Sequence, residues 1–345
     1  MGSERFGNAD KRPGRLLRAV LLLICCGLSN PLLAWPVAPF TTFNQSPLVQ
    51  IFGLPPIGEA RILPSGEERF RLLSMVASNY VQRSNASESL LLDGETQRVE
   101  LDYVRSKGGR FEWGLHVPYI THSPGALDSF IIKWHDIFGL PQGGRDTAPR
   151  DVLNYNYQRN GVTLLSQTIQ EKGVGDVRLS GGWRLMSPGG AGDSALALRA
   201  SLKLPTGDSA SLQGSGGTDL AVWLSGAHGG FAPNSWFSIY GGLGMAYLGP
   251  GDVLPDQQRS SAVFGSLGAG AWFWHRVSLK AQVDFHTALY QDTDLRPLGD
   301  DAVQLAVGGD LRLIKNTRIE LAVIEDVAVT TAPDVVFYLG ITVED

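Results

Sequence analysis

The stretch from Val277 to Tyr290 constrains the fold more than any other. Val277, Leu279, Ala281, Val283, Phe285, Thr287 and Leu289 alternate with Ser278, Lys280, Gln282, Asp284, His286, Ala288 and Tyr290. A strict period of two means a β-strand, because successive side chains point to opposite faces. A strand crossing a bilayer at about 45° needs roughly 9–11 residues, whereas the commonest soluble strand has about 5–6. One greasy face and one ionic face over this length suit a wall between lipid and a wet lumen. In that arrangement Val283→Arg is expected to be harmful and Gln282→Arg tolerated.

The same pattern recurs along the chain. Strands are predicted near residues 69–83, 96–106, 111–121, 174–186, 194–205, 218–227, 236–248, 261–274, 277–290, 302–314, 317–327 and 335–343. That is about twelve, an even number, as bacterial single-chain barrels have. Connections at 107–109, 187–193, 227–235, 275–276 and 315–316 are the short set. Those at 84–95, 122–173, 206–217, 249–260, 291–301 and 328–334 are the long set, and the two sets alternate. Short periplasmic turns and longer outer loops sort this way in a membrane barrel, while a soluble sandwich has no reason to. Val277–Tyr290 therefore rises from the short-turn side. Aromatics sort too: Trp113, Trp183, Trp236, Phe237, Trp272, Phe273 and Trp274 toward the short turns, Tyr80, Tyr119, Tyr247, Tyr290 and Phe337 toward the long loops. Two such belts are what membrane interfaces select.

The N-terminus carries Lys11, Arg12, Arg15 and Arg18, then an apolar run from Ala19 to Leu28, then Leu32-Leu33-Ala34. This is the layout of a secretory signal peptide over residues 1–34, too short to span a membrane as a helix. Both cysteines, Cys25 and Cys26, fall within it, so the exported chain has no disulfide or thiol chemistry. Removing 1–34 takes away five Lys/Arg and two Asp/Glu, leaving a more acidic protein with no feature that suits nucleic acid.

Residues 35–68 form a proline-rich segment without alternation. Prolines 36, 39, 47, 55, 56 and 64 keep it extended or turning rather than laddered. Its apolar side chains need cover, from the periplasmic face or from the lumen of the barrel assigned to 69–345. In the long connection 122–173, Leu127, Phe130, Ile131, Trp134, Ile137 and Phe138 recur at helical spacing and predict a short amphipathic helix over 125–138. Asn160-Gly161 predicts a hairpin beyond the membrane. Ile-Phe-Gly-Leu-Pro occurs at 51–55 and again at 137–141.

Several motifs carry a family resemblance. Asn44-Gln45-Ser46-Pro47-Leu48 followed by Ile51-Phe52-Gly53-Leu54-Pro55 resembles the opening of the DUF3187 proteins, uncharacterised Gram-negative outer-membrane proteins. Gly114 with Val117-Pro118, Gly125 with Leu127-Asp128, Trp134-His135 with Phe138-Gly139-Leu140-Pro141, and Arg145 are similar to that family's middle block. Gly175-Asp176 and Leu202-Lys203-Leu204-Pro205-Thr206-Gly207, with Gly214-Ser215-Gly216 and Asp219, resemble motifs shared more widely by barrels linked to hydrophobic-compound uptake. The resemblance implies an outer-membrane barrel and no established activity. The chain departs from the usual barrel ending, since Ile-Thr-Val-Glu-Asp follows the last aromatic pair, Phe337-Tyr338.

The expected fold is thus all-β, a transmembrane antiparallel barrel of about twelve strands with long outer loops, one short loop helix and a proline-rich N-terminal segment. Parity places Arg98, Glu100, Asp102, Glu112, His116, Arg178, Arg199, Lys203, Asp219, Lys280, Asp284, His286, Asp310, Arg312, Arg318 and Glu320 on the lumen wall. Mixed signs at this density favour cross-strand pairing over a single-sign ion filter. The candidates to narrow the lumen are Phe43, Leu48, Ile51 and Phe52 of the N-terminal segment and Trp134, His135 and Phe138 of the helix. The leading expectation is a non-enzymatic narrow channel or binding barrel for a small polar, hydrophobic or lipid-like solute. A barrel lipid hydrolase is the rival, invited by His116 and His122-Ser123, whose adjacent side chains diverge on a strand. A structural or surface-interaction barrel is the third reading. No residue set has metal-ligand spacing and no cofactor is expected. The expected partners are outer-membrane lipid and the barrel-assembly machinery.

Overall fold

The computed structural model describes residues 37–138, 148–187, 193–230, 236–273, 276–314, 316–327 and 331–345. The expected leader, Trp274 and the Gly-Leu-Pro part of the second pentapeptide lie outside the described residues. In chain order the elements are β1 (Glu68–Ser84), β2 (Glu88–Lys107), β3 (Phe111–Ser123), α1 (Asp128–Phe138), β4 (Asn154–Arg159), β5 (Val162–Gln167), β6 (Glu171–Val174) and β7 (Arg178–Met186). They continue with β8 (Ser194–Lys203), β9 (Asp219–His228), β10 (Phe237–Leu248), β11 (Ser261–Phe273), β12 (Val277–His286), α2 (Arg296–Gly299), β13 (Ala302–Ile314), β14 (Thr317–Asp326) and β15 (Val335–Glu344).

Twelve of these strands close into one antiparallel barrel. Pairing runs β1 to β3, passes from β3 to β7, continues in order to β15, and returns to β1 with Arg69 opposite Glu344 and Ser78 opposite Val335. Closure removes the free edges that no bilayer tolerates. On β12 every second residue from Ser278 to Gln282, and His286 after it, is buried, while Leu279, Ala281, Val283 and Phe285 are exposed. Leu267 at 70% and Leu321 at 59% exposure belong to a wall of outward apolar side chains. In water such a surface would drive aggregation; facing lipid it costs nothing.

The turns follow from local chemistry. Gly108 and Gly109, with φ of 66° and 62°, turn β2 into β3 in the left-handed region. Asn160 and Gly161, with φ of 50° and 75°, make the β4–β5 turn of the type I′ class. That hairpin pairs with the outer end of β2, extending the wall beyond the membrane as the Asn-Gly signal suggested.

Three local expectations need correction. The connection expected at 84–95 is mostly strand: β1 and β2 stay paired out to Ser84 and Ser89, and Asn85 closes the turn by accepting the backbone N–H groups of Ser87 and Glu88. The strand expected to reach Tyr290 ends at His286, beyond which Leu289 and Tyr290 are both buried under the loops. Tyr290 and Trp272 therefore leave the rim belts. Tyr290 points into the lumen, and Trp272, only partly exposed, lies under the Arg312 guanidinium at 4.8 Å.

Candidate channel lumen

The N-terminal segment fills the barrel. Val37, Phe40, Leu48, Ile51, Ile57 and Leu63 are each exposed by 2% or less. The segment rises along β12: the carbonyl of Ala38 accepts from Lys280 Nζ (2.9 Å), the N–H of Phe40 donates to Gln282 Oε1 (2.9 Å), and Thr42 Oγ1 donates to Asp284 Oδ2 (2.6 Å). Asn44 Nδ2 reaches His286 Nε2 (3.0 Å), and Tyr290 donates to the carbonyl of Leu48 (2.8 Å). Inward side chains on a strand recur every second residue, and an extended chain repeats on the same spacing, so the two stay in step. Residues 46–52 then turn back, with the N–H groups of Val49 and Gln50 donating to Ser46 O.

The returning arm descends along β9 and β8. The N–H of Gly53 donates to Asp219 Oδ2 (2.8 Å), and Lys203 Nζ donates to Ile51 O (3.0 Å). Trp223 Nε1 donates to Ile57 O (2.7 Å), Arg199 Nε donates to Glu59 O (2.9 Å), and the N–H of Leu63 donates to Glu112 Oε2 (3.0 Å). A proline-rich strip cannot satisfy its own backbone in a ladder, so the wall does it instead. Glycines make the room: a Cβ at Gly270 would lie 2.7 Å from Val37, and one at Gly242 3.0 Å from Ile57.

Most of the parity-assigned charges are paired. Lys280 bridges Asp310 (2.9 Å) and Glu320 (2.8 Å), with its Nζ 4.0 Å over the Phe40 ring. Arg318 reaches Glu320 at 3.8 Å. Glu100 holds Arg98 and Arg178, whose guanidinium carbons lie 4.7 and 5.2 Å from the Phe43 ring centroid. Arg199 pairs with Glu112 (2.9 Å), and Lys203 with Asp176 (2.7 Å) and Asp219 (3.0 Å). Near the short-turn end Glu59 is ringed by Arg69 (3.0 Å), Arg318 (3.5 Å) and Arg71 (3.8 Å). Each ion pays for burial only through such close partners.

The two expected plugs separate. Phe43, Leu48, Ile51 and Phe52 are inside, with Phe52 edge-on to Tyr290 at 5.7 Å. Helix α1 is not in the lumen: its Phe130 meets Phe337, a residue on the outward register of β15, at 5.7 Å. Its first turn is fixed by Glu95, which accepts from the N–H groups of Ala126 and Leu127. An amphipathic helix there can lay its apolar stripe on the wall, which a polar lumen would not reward. The side chains of Trp134, His135 and Phe138 lie outside the described residues.

Among the described residues, two gaps lie in the lumen. A cavity of about 50 Å³ lies among Thr42, Phe43, Phe52, Phe264, Asp284 and His286, and one of about 20 Å³ among Phe43, Phe52, Arg98, Arg178 and Lys203. Phe43, Gln50, Phe52 and Leu54 line both. The sequence candidates omit Glu59 and Trp223; inward parity on β9 points to Trp223, while nothing local marks Glu59.

Two other arrangements emerge. Asp102 Oδ1, His116 Nδ1 and Nε2, and Ser180 Oγ are hydrogen-bonded in series at 2.6 and 2.8 Å on β2, β3 and β7. His122, by contrast, is fully buried and bonded through Nδ1 to Thr96 (3.1 Å), on the strand face opposite Ser123. Among the described residues, ligand atoms of Glu100, Asp102 and His116 lie within 4.8 Å of one another, but Arg98 and Arg178 already occupy Glu100.

These features define a transmembrane antiparallel β-barrel, of the fold used by outer-membrane channels. The chain belongs to the DUF3187 family, whose model, described as a protein of unknown function, matches residues 17–344. Its fold is similar to that of the COG4313 outer-membrane channel from Pseudomonas putida F1, with a TM-score of 0.53 at 12% identity over 84% of this chain and 98% of that one. The toluene transporter TodX of P. putida aligns with a TM-score of 0.38 at 11% identity, covering 82% of this chain and 89% of that one. The KdgM porin aligns with a TM-score of 0.40 at 7% identity, covering 80% and 98%. No curated protein sequence matches.

Proposed function

We propose that this protein is exported under a signal peptide over residues 1–34 that is then cleaved, is inserted into the outer membrane by the barrel-assembly machinery, and acts as a narrow channel for a small solute. Residues 37–63 are its resident constriction, with Phe43 and Phe52 at the narrowest point. The observation that carries this reading is the pair of cavities sharing Phe43, Gln50, Phe52 and Leu54 as a common wall. Moving one or two of those side chains joins the gaps, whereas shifting the whole segment requires breaking its ion pairs. The fold shared with an outer-membrane channel supports the same reading. Solute uptake into proteoliposomes tests it. Phe43→Ala with Phe52→Ala should raise permeability to small solutes several-fold over the wild-type chain; equal permeability in both would contradict the constriction.

A second reading, a lipid hydrolase, is favoured by one observation, the Asp102–His116–Ser180 series. It has the order of acid, base and nucleophile. Ser180, however, sits on β7 laddered on both sides, to Gly114 and to Ser201, so neighbouring N–H groups are committed and offer no oxyanion site. Covalent labelling by a fluorophosphonate probe, lost on Ser180→Ala, would establish it; no labelling leaves the channel.

A further inference from the structure

Asp284 stands on the wall of the larger cavity without a counter-charge. Its carboxylate accepts from Thr42 Oγ1 (2.6 Å), Gln282 Nε2 (2.9 Å) and the Ser266 hydroxyl. Among the described residues no Lys, Arg or His nitrogen lies within 4.0 Å of it. Asp102, Glu112, Asp219, Asp310 and Glu320 each have such a partner. His286, the nearest titratable side chain on the same face of β12, is engaged at both ring nitrogens: Nδ1 donates to Thr287 O (2.9 Å) and Nε2 accepts from Asn44 (3.0 Å). That tautomer carries no charge.

A second group around the same cavity lacks a partner. Gln50 Oε1 is buried and unbonded, on a side chain exposed by only 7%. An unmet acceptor facing that space points to a guest that donates. The rest of the lining includes the rings of Phe43, Phe52 and Phe264. A carboxylate with no cation, a free carbonyl oxygen and aromatic faces together attract a cation that carries N–H donors.

We infer that this cavity is a binding site for the ammonium head of a small primary amine, with Asp284 as its counter-ion and Gln50 as a further acceptor. This names the solute class of the channel and, as a substrate site, rests on that reading. The size limits the guest: a cavity of about 50 Å³ is well short of the ~150 Å³ that takes benzene. It admits a head with one or two carbons, with any longer tail passing Phe43.

The test is saturation-transfer NMR on the full mature chain in detergent micelles, with ethylammonium and with ethanol as the neutral probe of similar size. Ethylammonium should bind saturably and at least about tenfold more tightly than ethanol, the difference expected of a charge-assisted contact. Asp284→Asn should abolish that preference. Asp256→Asn, which removes an exposed carboxylate outside the cavity and leaves Asp284 in place, should retain it, and heat-modifiable gel mobility checks that each variant is folded. Equal binding of the two probes, no binding of ethylammonium, or a preference that survives Asp284→Asn would overturn the site. Binding of ethylammonium without solute uptake would keep the site and sink the channel, so the two failures are distinguishable.

Discussion

Thr42 and Asp284 are joined by a 2.6 Å hydrogen bond across 242 positions of the chain, and the same offset links Ala38 to Lys280, Phe40 to Gln282, Asn44 to His286 and Leu48 to Tyr290. The rising arm of the N-terminal segment thus tracks the inward face of β12 at every second residue, and the same offset holds just beyond the strand at Tyr290. One consequence concerns Gln282. A lumen position alone would tolerate Gln282→Arg, but Gln282 is 1% exposed and bonds Phe40, Thr42 and Asp284 at once. Gln282→Arg should therefore displace the segment, read as faster proteolysis within residues 37–63. Unchanged proteolysis would mean that the offset pairing is not formed.

Val283→Arg tests the opposite face of the same strand. Val283 is exposed at 40%, toward lipid. An arginine there should cost about 2–4 kcal/mol of folding stability in bilayers if near the midplane. Urea titration in lipid vesicles, followed by gel mobility, measures it. A neutral outcome would place β12 with the wrong face outward.

Lys280→Met should be among the most damaging single changes. It leaves Asp310 and Glu320 buried beside no ammonium and strips the carbonyl of Ala38. Removing one partner of a buried ion set typically costs about 3–5 kcal/mol. The triple change to Lys280→Met with Asp310→Asn and Glu320→Gln should recover much of the loss in the same titration, because no lone charge remains.

How far the sequence could be read depends on the solvent each segment meets. Strands between lipid and lumen alternate because their two faces meet different media, which is why Leu279 and Lys280 disclosed their sides. Beyond the membrane both faces of β2 are covered, so Leu90, Leu91 and Leu92 run together and the hairpin resembled a loop. Aromatic identity does not fix facing either: Trp272 and Tyr290 look like belt residues and are turned inward by Arg312 and by Leu48. The charged wall was legible by parity, but its partners in the N-terminal segment were not, because contacts 242 residues apart leave no local periodicity.

Acid should loosen the outer loops. Glu88, beyond the membrane, accepts from Tyr157, from Thr293 Oγ1 (3.1 Å) and from the N–H of Asp294 (3.1 Å), tying three loops together. Burial acts to raise its carboxyl, but the hydrogen bonds from Tyr157, Asp294, Thr293 and Asn85 outweigh that and hold it below the usual carboxylate range. A lowered folded-state value means stability that is fully present above the unfolded pKa, near about 4.3, and is lost as pH falls through the folded one. Hydrogen exchange in β4 should be unchanged from pH 8 to 5, after correction for intrinsic rates, and should quicken below about pH 4. Glu88→Gln should remove that acid step.

The channel reading requires that residues 37–63 close the lumen. Single-channel recording in planar bilayers tests it most directly, comparing the mature chain with a variant in which those residues are replaced by an equally long Gly-Ser linker. The wild-type barrel should be nearly silent, with stable, larger conductance steps once the segment is gone. A folded linker variant that stays as silent as the wild type, or a wild-type chain that conducts equally well, would contradict it.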